Sequence, residues 1–152
     1  MTPGRFITFE GGEGAGKSTQ ARFLANRLRR EGRVVVETRE PGGSPAAERV
    51  REAVLGLPAC DGVWHADAEC LLHFAARRQH VADVIQPALA RGDWVISDRF
   101  ADSTMAYQGY AGGVGPARVA ALEAWTLGGA LGGFTPDLTL ILDLSVERGL
   151  ER

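Results

Sequence analysis

The chain has 152 residues, 45% of them hydrophobic and 24% charged, enough for one globular domain that buries ~68–70% of its unfolded surface. Seventeen basic and 19 acidic residues leave a net charge of −2, so neither nucleic acid nor an anionic membrane is expected as a partner. No apolar run approaches the ~18 residues of a membrane span, and the N-terminal apolar stretch is too short for a signal peptide. Cys60 and Cys70 fit neither zinc spacing nor a disulfide framework. A cytoplasmic location is expected.

Arg5–Glu10 reads as a short buried strand that runs straight into glycine-rich sequence. From Lys17 to about Glu31, Ala21, Leu24, Ala25 and Leu28 recur at helical spacing, and Gly32 stops the helix. Arg22, Arg27, Arg29, Arg30 and Arg33 are read as the solvated face of that helix. Val34–Thr38 is a second strand, followed by a loop with Pro41, Gly42 and Gly43. Ser44 as N-cap, with Pro45 at the first helical position, starts a helix to about Leu55. Residues 56–66 read as a connector and Asp67–Arg91 as the longest helix. Trp94–Asp98 is a third strand, Pro116–Leu127 a helix and Leu138–Asp143 a fourth strand; Ser145 could cap one more helix.

Strands alternating with helices predict an α/β fold, a doubly wound parallel sheet with helices on both faces. Ligands of such sheets bind at the carboxyl ends of the strands, so the loops after Glu10, Thr38, Asp98 and Asp143 are expected to form one crevice.

Sixteen of the seventeen basic residues are arginine. The one lysine, Lys17, lies in Gly11-Gly12-Glu13-Gly14-Ala15-Gly16-Lys17-Ser18, a match to the phosphate-binding P-loop pattern between a strand and a helix. Its glycines let backbone N–H groups face phosphate, Lys17 would reach the β- and γ-phosphates, and Ser18 would hold Mg²⁺. ATP with Mg²⁺ is therefore the expected cofactor, held by residues Gly11 to Ser18 together with Thr19. Asp98, at the end of the third strand, is placed to serve the same metal. Arg99 next to it suits a second phosphate group. Phe74 and Arg78 stand one helical turn apart, a possible receptor for a planar base, although Phe74 alone reads as core. Arg77 is either solvent-facing or paired, and His65, His73 and His80 have no assigned role. Glu13, an acid among groups built to hold anions, calls for a sugar hydroxyl or a cation as its partner.

Taken together these residues resemble the thymidylate kinases. The strings that carry the likeness are FEGGEGAGKST ending at Thr19, TREPGG at 38–43, FAARR at 74–78, DRF at 98–100, STMAYQG at 103–109 and PDLTLILDL at 136–144. The resemblance implies a P-loop nucleoside-monophosphate kinase that moves the γ-phosphoryl group of ATP to dTMP, with residues 1–152 as one kinase domain. Phe74 would stack on thymine, Arg78 would bind its carbonyl edge, and Thr104 and Gln108 would complete the base contacts. Arg99 would clamp the dTMP phosphate, helped by Glu40 and Arg51. Glu13 would meet the deoxyribose, and Tyr107 would crowd a ribose 2′-hydroxyl. Lys17, Arg99 and Asp98 form the expected catalytic set. The likeness further implies a homodimer, and a C-terminal lid, strand and helices that this sequence, ending at Arg152, does not include. A P-loop deoxynucleoside kinase and a nucleotide-binding fragment without turnover are the alternative readings; a GTPase is disfavoured, since its guanine motif needs a second lysine.

Overall fold

The computed structural model describes residues 3–56, 62–128 and 132–150. The chain divides into two compact units. The first comprises 1–39, 85–100 and 136–152; the second comprises 40–84 and 101–135.

The first unit is built on a four-stranded, wholly parallel sheet in the order β2-β3-β1-β4. Its strands are β1 (Phe6–Gly11), β2 (Val35–Arg39), β3 (Trp94–Asp98) and β4 (Leu138–Leu142). The two central strands read as unbroken buried runs, Phe6–Glu10 and Val95–Ser97, as expected where a strand has neighbours on both sides. The edge strand β2 alternates instead, whereas β4 is only partly covered, with Leu138 and Ile141 exposed despite the apolar sequence. Helix α1 (Lys17–Arg30) lays Ala21, Ala25 and Leu28 onto Ile7, Phe9, Val35 and Ile96. Its arginines Arg22, Arg27, Arg29 and Arg30 are exposed as predicted; Arg29 pairs with Glu37, and Arg33 stacks over Trp94 at 6.0 Å.

The second unit is helical: α2 (Pro45–Leu55), α3 (Ala66–His80), α5 (Ala101–Thr104) and α6 (Pro116–Glu123), with π-helical turns at Val81–Ile85, Met105–Ala111 and Ala124–Gly128. The helix expected over 67–91 is realised as α3, the first π turn and α4 (Gln86–Ala90), and the helix over 116–127 as α6 and the third π turn. The helical turns at 101–111 escape sequence reading, because Gly109 and the polar residues around it weaken a helical signal. Cys70, Phe74, Val114 and Val119 form the unit's apolar core. Ser44 occupies the N-cap of α2 but its hydroxyl makes no capping bond; Glu48 instead accepts the Gly43 N–H at 2.8 Å. Cys70 is a buried free thiol, and Cys60 lies outside the described residues. Helix α7 (Val146–Leu150) follows Ser145 as expected.

Candidate active site

The loop between β1 and α1 is shaped by close backbone approach. Gly11 has φ 137°, and a Cβ there would stand 2.4 Å from the Leu142 carbonyl oxygen; Gly14 has φ 70° and would meet the Gly149 carbonyl at 2.3 Å. Neither position admits a side chain. The loop opens directly into α1, so the N–H groups of the first helical turn and the positive end of the helix dipole meet where a phosphate would sit.

Register brings the acid to this loop. Phe9 pairs with Asp98 on one side and Arg39 pairs with Asp98 on the other, so Asp98 emerges two residues from where Gly11 begins to turn. The Ser18 hydroxyl donates to Asp98 Oδ2. Two hard oxygen donors thus converge on one point and fit Mg²⁺ as that ion prefers to bind, with phosphate and water completing the shell. Among the described residues no group of three or more His, Cys, Asp or Glu side chains could hold a metal. An open cavity of ≈ 280 Å³ lies at the carboxyl ends of β2 and β3, lined by Ser18, Ala21, Glu37, Thr38, Arg39, Ile96 and Asp98.

Lys17 is only 7% exposed, and its ammonium donates to the Gly12 carbonyl at 2.6 Å. Burial, and then the charge of Arg99, lower its pKa from the ordinary lysine value, against the pull of Asp98, Glu10 and Glu13. A charge held under such strain is ready to be relieved by an anion. Glu13 is exposed on the loop and its charge acts on Lys17.

Arg99 adopts φ 72°, a left-handed conformation unusual for arginine. Its N–H donates to the Phe9 carbonyl at 2.9 Å, and its carbonyl accepts the Ser97 hydroxyl at 2.7 Å. One residue later the Phe100 N–H donates to the carboxylate of Glu10, itself 4% exposed, at 2.7 Å. Glu10 is a residue that sequence reading passed over; the signal was an acid at the end of an otherwise apolar strand.

In the helical unit the structure adds a neighbour to the pair of Phe74 and Arg78. Arg77 lies over Phe74, its guanidinium 5.1 Å from the ring centroid. Arg77 is 2% exposed and Phe74 3%, so the ring is core, and Arg77 is paired rather than solvent-facing. Arg77 Nε donates to Glu40 Oε2 at 2.7 Å and Nη2 donates to the Thr104 hydroxyl at 2.9 Å; His80 Nδ1 lies 2.9 Å from Glu40 Oε1. A carboxylate can only accept, so His80 carries its hydrogen on Nδ1. Glu40 is thus held by Arg77 and His80, two residues with no assigned role in the sequence reading, and Thr104 by Arg77. The available signal was spacing: Phe74, Arg77 and His80 are three apart, on one face of α3.

Arg78 is partly buried, and its Nη1 is buried with no hydrogen-bond partner among the described residues. Arg51 donates to the Pro41 carbonyl at 2.7 Å and so braces the loop that carries Glu40. Gln108 is 9% exposed and its amide nitrogen donates to Glu69 at 2.8 Å, whereas Tyr107 is 45% exposed. His73 faces the same carboxylate at 3.9 Å; burial, then Arg77, lower its pKa from the ordinary histidine value.

A glycine loop on a parallel sheet, with its lysine, its hydroxyl and a strand-end aspartate gathered at one point, defines a P-loop phosphotransferase. Comparison with known proteins narrows the class. The family model described as thymidylate kinase matches residues 9–152. A thymidylate kinase of Caulobacter vibrioides is 59% identical over all of this chain and 70% of its own length, and one of Pseudomonas fluorescens is 58% identical over 98% and 68%. The crystal structure of thymidylate kinase from Ehrlichia chaffeensis superposes with a TM-score of 0.82 at 37% identity, covering 98% of this chain and 82% of that one. The chain belongs to the thymidylate kinase family.

Proposed function

We propose that the chain transfers the γ-phosphoryl group of ATP to the phosphate of dTMP, giving dTDP, and that residues 1–152 act as one kinase domain. The observation that carries this reading is the meeting of Ser18 and Asp98 beside the buried Lys17, in a member of this family. Lys17 and the loop from Gly11 to Thr19 would bind the triphosphate. Ser18 and Asp98 would hold Mg²⁺, which when bound offsets charge on the phosphates. Arg99 would bind the acceptor phosphate, with Glu40 and Arg51 shaping its surroundings. The acceptor oxygen is already ionised at neutral pH, so in-line positioning and charge compensation suffice and no strong base is required.

Phe74, Arg78, Thr104 and Gln108 would recognise thymine. The unpartnered Nη1 of Arg78 supports this, since a buried donor without an acceptor is costly and a base carbonyl would satisfy it. Phe74 would offer thymine the part of its ring that Arg77 does not cover. Glu13 and Tyr107 would meet the sugar.

Incubation with MgATP and dTMP, dCMP, AMP or thymidine, followed by separation of products, tests the reading. dTDP formed from dTMP is the expected result; equal turnover of the three nucleotides would refute the base assignment, and phosphorylation of thymidine would point to a nucleoside kinase. A cytoplasmic homodimer is part of the same proposal. No described helix is long and apolar enough to cross a membrane. An exposed apolar groove lined by Leu71, Val114, Ala121 and Leu122, with Asp67 and Arg118 at its rim, suits a second copy. Sedimentation equilibrium decides this, a monomeric mass speaking against it.

A further inference from the structure

We infer that Glu69 is a positioning residue that sets which pyrimidine is accepted, by fixing the orientation of the Gln108 amide. The inference rests on the reading of Gln108 as a base contact. A primary amide is ambiguous: one edge accepts and the other donates, and half a turn about the last side-chain bond exchanges them. The bases it would read differ in that same sense. Thymine presents an N3–H donor flanked by carbonyl acceptors, whereas cytosine presents an N3 acceptor beside an amino donor. A glutamine free to turn would serve either one.

Gln108 is not free to turn. It is nearly buried, and its Nε2 donates to Glu69 Oε1 at 2.8 Å. The carboxylate has no hydrogen to give, so the reversed amide would set Oε1 against another oxygen. One N–H is thereby used, and Oε1 with the second N–H remains: an acceptor beside a donor, the complement of thymine's N3–H and carbonyl. Glu69 stands on the first turns of α3, where its place is fixed by the helix rather than by the base. Its carboxyl is 35% exposed, so a replacement side chain there need not disturb the core.

The experiment is calorimetric titration of the chain with dTMP and with dCMP, for wild type, Glu69→Ala and Glu69→Lys. An ammonium at this position donates to Oε1 and turns the amide over. The ratio of the dCMP to the dTMP dissociation constant is expected to fall by roughly tenfold or more in Glu69→Lys, with Glu69→Ala between it and wild type. A Gln108→Leu background should abolish the effect of Glu69→Ala on the ratio. A loss of stability alone would weaken both ligands together and leave the ratio unmoved. If wild type prefers dTMP and the ratio survives both Glu69 substitutions, the inference is overturned while the substrate reading stands. If wild type shows no preference, the substrate reading itself fails and takes the inference with it. Should Glu69→Lys not fold, Glu69→Ala and the Gln108→Leu pair decide alone.

Discussion

Replacing Arg77 by Met tests the most heavily committed side chain of the helical unit. The substitution keeps an unbranched stem that can lie on Phe74, and removes the charge that faces Glu40. In the native protein both side chains of this pair are 3% exposed or less, at 2.7 Å. Truncating one partner of a buried ion pair strands the other, at a cost of about 3–5 kcal/mol. His80 retains one bond to Glu40, which places the expectation at the lower end of that range. For a protein of this size each kcal/mol moves the melting temperature by about 2–4 °C, so a fall of at least ~6 °C is expected by calorimetry. The companion variant Glu40→Leu with Arg77→Met removes both charges and should be more stable than Arg77→Met alone, since no buried charge is left unpaired. Urea titrations of the four proteins of that cycle give the coupling. A destabilisation below ~1 kcal/mol, or a double variant as unstable as the sum of the singles, would refute the assignment of Arg77 as the buried counter-ion.

Lys17→Met should abolish phosphoryl transfer without lowering the melting temperature, because burial already disfavours the charged amine. Loss of stability with retained turnover would reverse that argument. Arg99→Gly relieves a left-handed conformation that costs an L-residue about 1–2 kcal/mol, so it should hold or raise stability while weakening dTMP binding; unaltered dTMP affinity would remove Arg99 from the acceptor site. Asp137 receives the Phe6 N–H at 2.8 Å and the Arg5 guanidinium at 2.6 Å. Burial pushes its pKa up, but these two bonds outweigh it and hold the carboxyl below the ordinary aspartate value. A depressed carboxyl contributes stability above its unfolded pKa and loses it as pH falls through the folded one. Asp137→Asn should therefore melt earlier than wild type at pH 7, with the gap closing below about pH 4. A gap independent of pH would assign the loss to packing.

The elements of the sheet were legible because each announced itself locally. Phe6–Gly11, Val35–Arg39, Trp94–Asp98 and Leu138–Leu142 each fall within a residue of the stretch read from sequence, since apolar runs bounded by glycine, proline or charge leave little choice. The P-loop was equally plain, for its chemistry resides in consecutive residues. Less was legible on α3. Periodicity says that Phe74 shares a face with both Arg77 and Arg78, but not which guanidinium lies over the ring. Choosing between them needs Glu40 and Thr104, residues 37 and 27 positions away along the chain. The turns at 101–111 were hidden because Gly109 and the polar residues around it weaken a helical signal.

What the sequence determined by itself was the phosphate end: one lysine in a glycine loop, a serine after it, and an aspartate at a strand's end, each with a proposed role read from its neighbours in the chain. What only the tertiary structure decided was the pairing of charges brought from distant segments. Parallel register set Asp98 against Ser18, burial made Arg77 and His80 the holders of Glu40, and Glu69 turned the amide of Gln108. The physical reason is that a P-loop binds through local backbone, whereas a buried charge is settled by whichever partner the fold delivers when water is removed.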